Sequence, residues 1–152
     1  MKDNIRLLSQ VDDKLNISLN SSEKKIIYNC DSEQISRVFF NLIKNSIESI
    51  DEKKLKNPDF TKKIDIEMFE DNEHIKVVIN DNGIGLDNLN VGIKNIFNPY
   101  FTTKKNGTGL GLSIVNKIVN DHDGIIKFIP NKDGAKVEIL FSKNDSRNLN
   151  SR

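Results

Sequence analysis

The chain has 152 residues, 36% of them hydrophobic and 30% charged, with a net charge of +1 from 23 basic and 22 acidic residues. That length suffices for one domain with a real core, and the near-even charge gives no reason to propose nucleic acid or an anionic membrane as a bulk partner. A single cysteine, Cys30, excludes an internal disulfide framework and a cysteine zinc site, and no apolar run approaches the roughly 20 residues that span a bilayer.

The opening "MKDNIRLLSQV" has no signal-peptide pattern. Its Ile5, Leu7, Leu8 and Val11 fit a helix end, so residues 1–12 are expected to be the remnant of a preceding helical segment. "KLNISLN" alternates Leu15, Ile17 and Leu19 and predicts a strand; "KKIIYNC" predicts a second. The period then changes. Asp31 is a good N-cap with Gln34 three residues on, and Ile35, Val38, Phe39, Leu42, Ile43, Ser46, Ile47 and Ile50 recur at helical spacing. The spacing predicts a helix over 32–55, ended before Pro58. "KKIDIEMFE" and "HIKVVIN" alternate around the turn-like "DNE" and predict a β-hairpin. Residues 81–106 read as irregular. A second helix is expected from about Gly109 to Asp121, with Leu112, Ile114, Val115, Ile118 and Val119 facing inward. "GIIKFIP" and "AKVEILF" read as the last strands, and residues 143–152 as a disordered polar tail. The order predicts an α+β two-layer sandwich: a mixed, mostly antiparallel sheet with helices on one face, spanning residues 13–142.

Six of the eight glycines fall between Gly83 and Gly111. In "NGTGLGLS", Gly107, Thr108, Gly109, Leu110 and Gly111 lead into a helix start, where unpaired N–H groups can meet phosphates. In "DNGIG", Asp81 can accept from an exocyclic base amine, with Gly83 and Gly85 leaving room for a ring; the same letters also suit a plain hairpin turn. Asn41 and Asn45 stand one helical turn apart, although Asn disfavours helix interiors, and an amide oxygen suits Mg²⁺. "FNPYFTTKKNG" reads as a lid docked by Phe97, Tyr100 and Phe101, with Thr102, Thr103, Lys104 or Lys105 reaching phosphates. His74 reads as surface, His122 as a helix C-terminal residue that welcomes positive charge, and Cys30 as a small buried hydrophobe.

"NLIKNSIES", "DNGIG", "FNPYFTTK" and "GTGLGLS", in this order, resemble the N, G1, F and G2 boxes of sensor histidine kinases, within the wider ATP-binding fold of DNA gyrase, Hsp90 and MutL. The "PYFTTKK" wording is most similar to nitrogen-regulation-type kinases. The resemblance implies that Asn45 holds Mg²⁺, with Asn41 a turn earlier. It implies that Asp81 binds the adenine amine, with Gly83 and Gly85 beside the base. It further implies that Gly107, Gly109 and Gly111 lie under the phosphates and that residues 86–106 form a mobile ATP lid. Hydrolytic relatives carry a glutamate where this chain has Asn41, and an amide cannot act as a general base. ATP is therefore expected to serve transfer to a histidine on a separate dimerisation domain, with Lys44, Lys104 or Lys105 stabilising the transferring group. Ser46 replaces the more usual alanine, with little consequence expected. Neither His74 nor His122 matches a phosphoacceptor. The resemblance implies a monomeric cytoplasmic catalytic domain whose parent, membrane-anchored or not, reaches a response regulator. The alternatives are an anti-sigma-factor-type serine kinase and a non-catalytic nucleotide-binding module.

Overall fold

The computed structural model describes residues 14–23, 25–86, 93–104, 107–129 and 131–143, with residues 93 and 94 described by their backbone alone. The expected helical remnant at 1–12, all of the tail but Lys143, and lid residues 87–92 lie outside these. The elements run β1 (Asn16–Ser21), α1 (Ser32–Lys56), β2 (Lys63–Glu70), β3 (His74–Asp81), a 3-10 turn (Ile93–Phe97), α2 (Gly111–Asp121), β4 (Gly124–Ile129) and β5 (Lys136–Ser142).

The strands form one sheet in the order β1-β2-β3-β5-β4. β1 and β2 are parallel, and every other pair is antiparallel. A parallel pair needs a long crossover, and α1 supplies it; the antiparallel pair β2–β3 needs only a tight turn. In that turn Asp71 accepts from the N–H groups of Glu73 and His74 at 2.8 and 2.7 Å. The expected mixed, mostly antiparallel sheet is what forms.

The two-residue period of the strands gives the sheet one core-facing and one outward face. Ile64 and Ile66 of β2 stand beside Asp81 and Ile79 of β3, and Val77 and Ile75 beside Ile139 and Phe141 of β5. This row packs against Val38, Phe39, Leu42, Ile43 and Ile50 of α1 and Val115, Ile118 and Val119 of α2 in one buried cluster. The other face is mixed, with Phe69, Val78, Ile125 and Leu140 standing among polar and charged side chains. Ser18 donates to Asp65 at 2.6 Å, Lys76 pairs with Glu138 at 3.1 Å, and a shallow groove runs past Asn20, Lys63, Glu67 and Asn80.

Asp31 caps α1 as expected, accepting from Glu33 N and Gln34 N at 3.0 and 3.1 Å. The Gln34 N–H, with that of Glu33, holds the Asp31 carboxyl below the usual carboxylate range. The Gln34 side chain returns to Asp31 Oδ2 at 3.0 Å.

"KKIIYNC" is not a strand. Its side chains anchor it instead: Ile26 and Tyr28 pack on the core, the Tyr28 ring centroid lies 5.2 Å from that of Phe141, and Tyr28 Oη donates to His122 O at 2.9 Å. Cys30 is half-buried rather than buried.

His122 is no exposed helix-end charge. It is 3% exposed, its Nδ1 meets Ile118 O at 2.8 Å, and its Nε2 accepts from Asp31 N at 3.2 Å. One imidazole thus ties the end of α2 to the start of α1. The acceptor role of Nε2 assigns the ring hydrogen to Nδ1. His122→Ala is expected to destabilise the domain by about 2 kcal/mol or more, through a cavity and an orphaned Asp31 N–H. Urea denaturation of the two proteins measures this.

Candidate functional site

Asp81 ends the row Ile75, Val77, Ile79 of β3, so strand alternation aims its side chain at the helices. It is 4% exposed. Gly83 N and Ala135 N donate to its Oδ1 at 2.9 and 3.2 Å, and Ser46 Oγ of α1 donates to its Oδ2 at 2.9 Å. Burial pushes the Asp81 carboxyl up from its ordinary 3.8, against the pull of these three donors. The groove on the sheet's outward face lies away from this carboxylate and takes no part in the site.

Asn41 and Asn45 are both partly exposed on α1. A side chain on Gly111, the first residue of α2, would stand 3.7 Å from Asn41 Oδ1, so the start of α2 faces Asn41. Lys104 reaches the same corner: its Nζ pairs with Glu48 and donates to Asn45 Oδ1 at 3.5 Å. Lys44 points to the other oxygen of Glu48 at 3.9 Å. Among the described residues no group of three or more His, Cys, Asp or Glu side chains could hold a metal. A divalent cation here would depend on amide, water and ligand oxygens, as Mg²⁺ commonly does. The Asn45 amide oxygen and the Glu48 carboxylate already meet the Lys104 ammonium, and oxygens of this kind are what such a cation would take.

The glycine segment closes against the aromatic segment. Tyr100 N donates to Gly109 O at 3.0 Å. Gly109 has φ +68, and a side chain there would stand 2.3 Å from the Tyr100 carbonyl carbon, so only glycine serves. The start of α2 has no side-chain cap, since its N-cap position is Leu110; Thr108 Oγ1 accepts from Leu110 N at 3.4 Å. Gly107, Thr108, Thr102 and Thr103 are exposed beside it. Thr102 Oγ1 accepts from Lys104 N at 3.1 Å, which turns the chain there. Lys105 lies outside the described residues.

Gly83 and Gly85 are first required by packing. A side chain on Gly83 would stand 2.2 Å from Ser49 Oγ, and one on Gly85 2.8 Å from Gly134 O. Of the three aromatics expected to dock the lid, Phe97 does so, with its ring centroid 5.6 Å from that of Phe128. Tyr100 does not. It is 77% exposed at φ +65, because the turn that sends its N–H to Gly109 directs its ring outward. The buried anchor is Ile96, at 3% exposure. The sequence also gave no role to Ser46, Glu48 or Ala135. The available signal for Ser46 was a polar residue inside an apolar helical stripe.

A family profile described as "Histidine kinase-, DNA gyrase B-, and HSP90-like ATPase" matches residues 30–145. The chain belongs to this family. It is 37% identical over 125 residues to sporulation kinase A of Bacillus subtilis, covering 81% of this chain and 19% of that one. It is 32% identical over 133 residues to a Rickettsia conorii protein named as an NtrY-like sensor histidine kinase, covering 86% and 21%. The chain therefore spans about a fifth of these relatives. Among solved structures, the catalytic domain of histidine kinase ThkA superposes with a TM-score of 0.72 at 25% identity, covering 94% of this chain and 92% of that one. The segment shared with the sensor kinases is their ATP-binding catalytic domain. Among the described residues no helix is long and apolar enough to cross a membrane.

Asp81→Asn tests the charge of this carboxyl. An amide keeps the oxygen that receives Gly83 N and Ala135 N but presents N–H where Oδ2 accepted. Because the folded pKa of Asp81 is raised, its ionisation opposes folding, and stability is lost as pH rises from about 3.8 through the folded value. The variant should lack that slope, seen as a flatter dependence of Tm on pH, and should remain folded at neutral pH.

Proposed function

We propose that this chain binds Mg·ATP at the corner formed by α1, the end of β3 and the start of α2. It then passes the γ-phosphoryl to a histidine on a separate dimerisation domain of a larger two-component sensor kinase. The observation that carries the proposal is the buried, donor-rich carboxylate of Asp81 on the same side of the sheet as Asn41, Asn45 and the uncapped start of α2. Asp81 Oδ2 accepts from the adenine amine. The N–H groups of Thr108, Gly109 and Gly111 face the phosphates, with the partial positive charge of the helix start behind them, and those of Gly107 and Leu110 join them on leaving Lys104 O and Thr108 Oγ1. Thr102, Thr103 and the lysines Lys104 and Lys105 close over the same groups.

Asn45 holds the magnesium ion, which neutralises phosphate charge when bound. Asn41, one turn earlier, borders the same corner. The Lys104–Glu48 pair is exposed by about two-fifths on each side, and such pairs contribute roughly 0.2–1 kcal/mol. Lys104 can therefore leave Glu48 for a phosphate at little cost. In transfer, a nitrogen of the acceptor imidazole bonds to the γ-phosphorus as the bond to the ADP oxygen breaks. Neither Asn41 nor Asn45 can take a proton from water, so the chain positions and neutralises rather than hydrolyses. Through its parent the domain would serve a response regulator in the cytoplasm.

The test is labelled ATP with this domain and a histidine-containing dimerisation domain supplied in trans. Acid-labile label on the second domain is expected. Acid-stable label would instead support the serine-kinase alternative, and nucleotide binding without transfer a non-catalytic module. Asn45→Ala is expected to weaken magnesium-dependent ADP binding by about tenfold or more, a loss of roughly 1.4 kcal/mol, with little change in EDTA. Calorimetric titration with and without the ion measures both.

A further inference from the structure

The Asp81 carboxylate is nearly full. Its Oδ1 receives two backbone N–H groups, from Gly83 and Ala135. Its Oδ2 receives the Ser46 hydroxyl and keeps capacity for one more donor. Ser46 is 6% exposed, on an α1 stripe whose other buried members, Val38, Phe39, Leu42, Ile43 and Ile50, are apolar. A serine within a helix can turn its hydroxyl to the carbonyl one turn back. This one is given to a carboxylate 35 residues further along the chain.

We infer that Ser46 is a positioning residue for base recognition: it fixes the rotation of the Asp81 carboxylate and keeps Oδ2 an acceptor, so the site takes a 6-amino purine and refuses a 6-oxo purine. The inference rests on Asp81 being the base-accepting group of the proposed site.

A carboxylate can only accept, so it attracts the amine of adenine and repels the O6 of hypoxanthine. A protonated carboxyl reverses this. Its proton would sit on Oδ2, since Oδ1 is filled by N–H donors, and would point at a 6-oxo group. Burial already favours the neutral acid. Lys53 of α1, whose Nζ donates to Asn82 O at 2.9 Å, is the nearby charge that opposes it. Ile64 on β2 and Ala135 before β5 bring none. Deleting the Ser46 hydroxyl removes a donor that favours the anion. The folded pKa of Asp81 then rises, and protonation begins at higher pH as acid is added.

The experiment measures the affinities of ADP and inosine diphosphate for the wild type, Ser46→Ala and Ser46→Cys from neutral pH down to the lowest pH at which each protein stays folded. Thermal melts establish that each protein is folded. The wild type should prefer ADP, and the preference should decay as pH falls. In Ser46→Ala that decay should move to higher pH, and the neutral-pH preference should drop by about tenfold. Ser46→Cys fills the same space with a weaker donor and should follow the alanine variant. If alanine lowers both affinities equally and cysteine restores them on an unshifted pH profile, Ser46 only fills space and the inference falls. A wild type that binds neither nucleotide would overturn the nucleotide site itself, whatever Ser46 does.

Discussion

A carboxylate at a core-facing position has to be surrounded by donors. Asp81 continues a row of isoleucines and valine on β3, and an ionised group so buried is strongly unfavourable unless it is hydrogen-bonded. Its donors come from three places: Gly83 just after β3, Ala135 just before β5, and Ser46 on α1. The backbone is equally tight here, since a side chain on Gly134 would stand 1.9 Å from Asp81 O. The end of the central strand β3, the turn before β5 and the long helix must therefore be in register together, and an error in any one of them would orphan the charge.

From that fixed point outward the attachments weaken. Ile96 and Phe97 tie the base of the aromatic segment to the core by apolar packing. Further along, Tyr100 is exposed at a positive φ, which costs a non-glycine residue on the order of 1 kcal/mol. Lys104 touches α1 through a half-exposed ion pair. The described part of the segment thus has a firm base at Ile96 and Phe97 and a tip held by an exchangeable contact.

The helices are joined at their other ends by His122, whose ring runs from the last turn of α2 to the first N–H after Cys30. Asp31 stands ten residues before Asn41 at the start of α1, and His122 eleven residues after Gly111 at the end of α2. This bridge sets how the start of α2 is presented to Asn41, because α2 is a short helix of 11 residues and tilting one end moves the other.

The sequence by itself determined the elements whose period is strong and whose ends are chemically marked. α1 follows from its apolar stripe and Asp31, the β2–β3 hairpin from alternation, and the family from four motifs in order. It also carried two polar residues inside apolar patterns, Ser46 in a helical stripe and Asp81 in a strand row. Periodicity places each on a buried face but cannot say that they meet, since their contact spans 35 residues and two elements. Tertiary structure decided that pairing. It likewise turned "KKIIYNC" from a strand into an anchored crossing, sent Tyr100 outward, and made His122 a bridge. The physical reason is common to all four: each outcome depends on a partner distant in the chain, and local propensity holds no information about which donor, ring or carbonyl will be there.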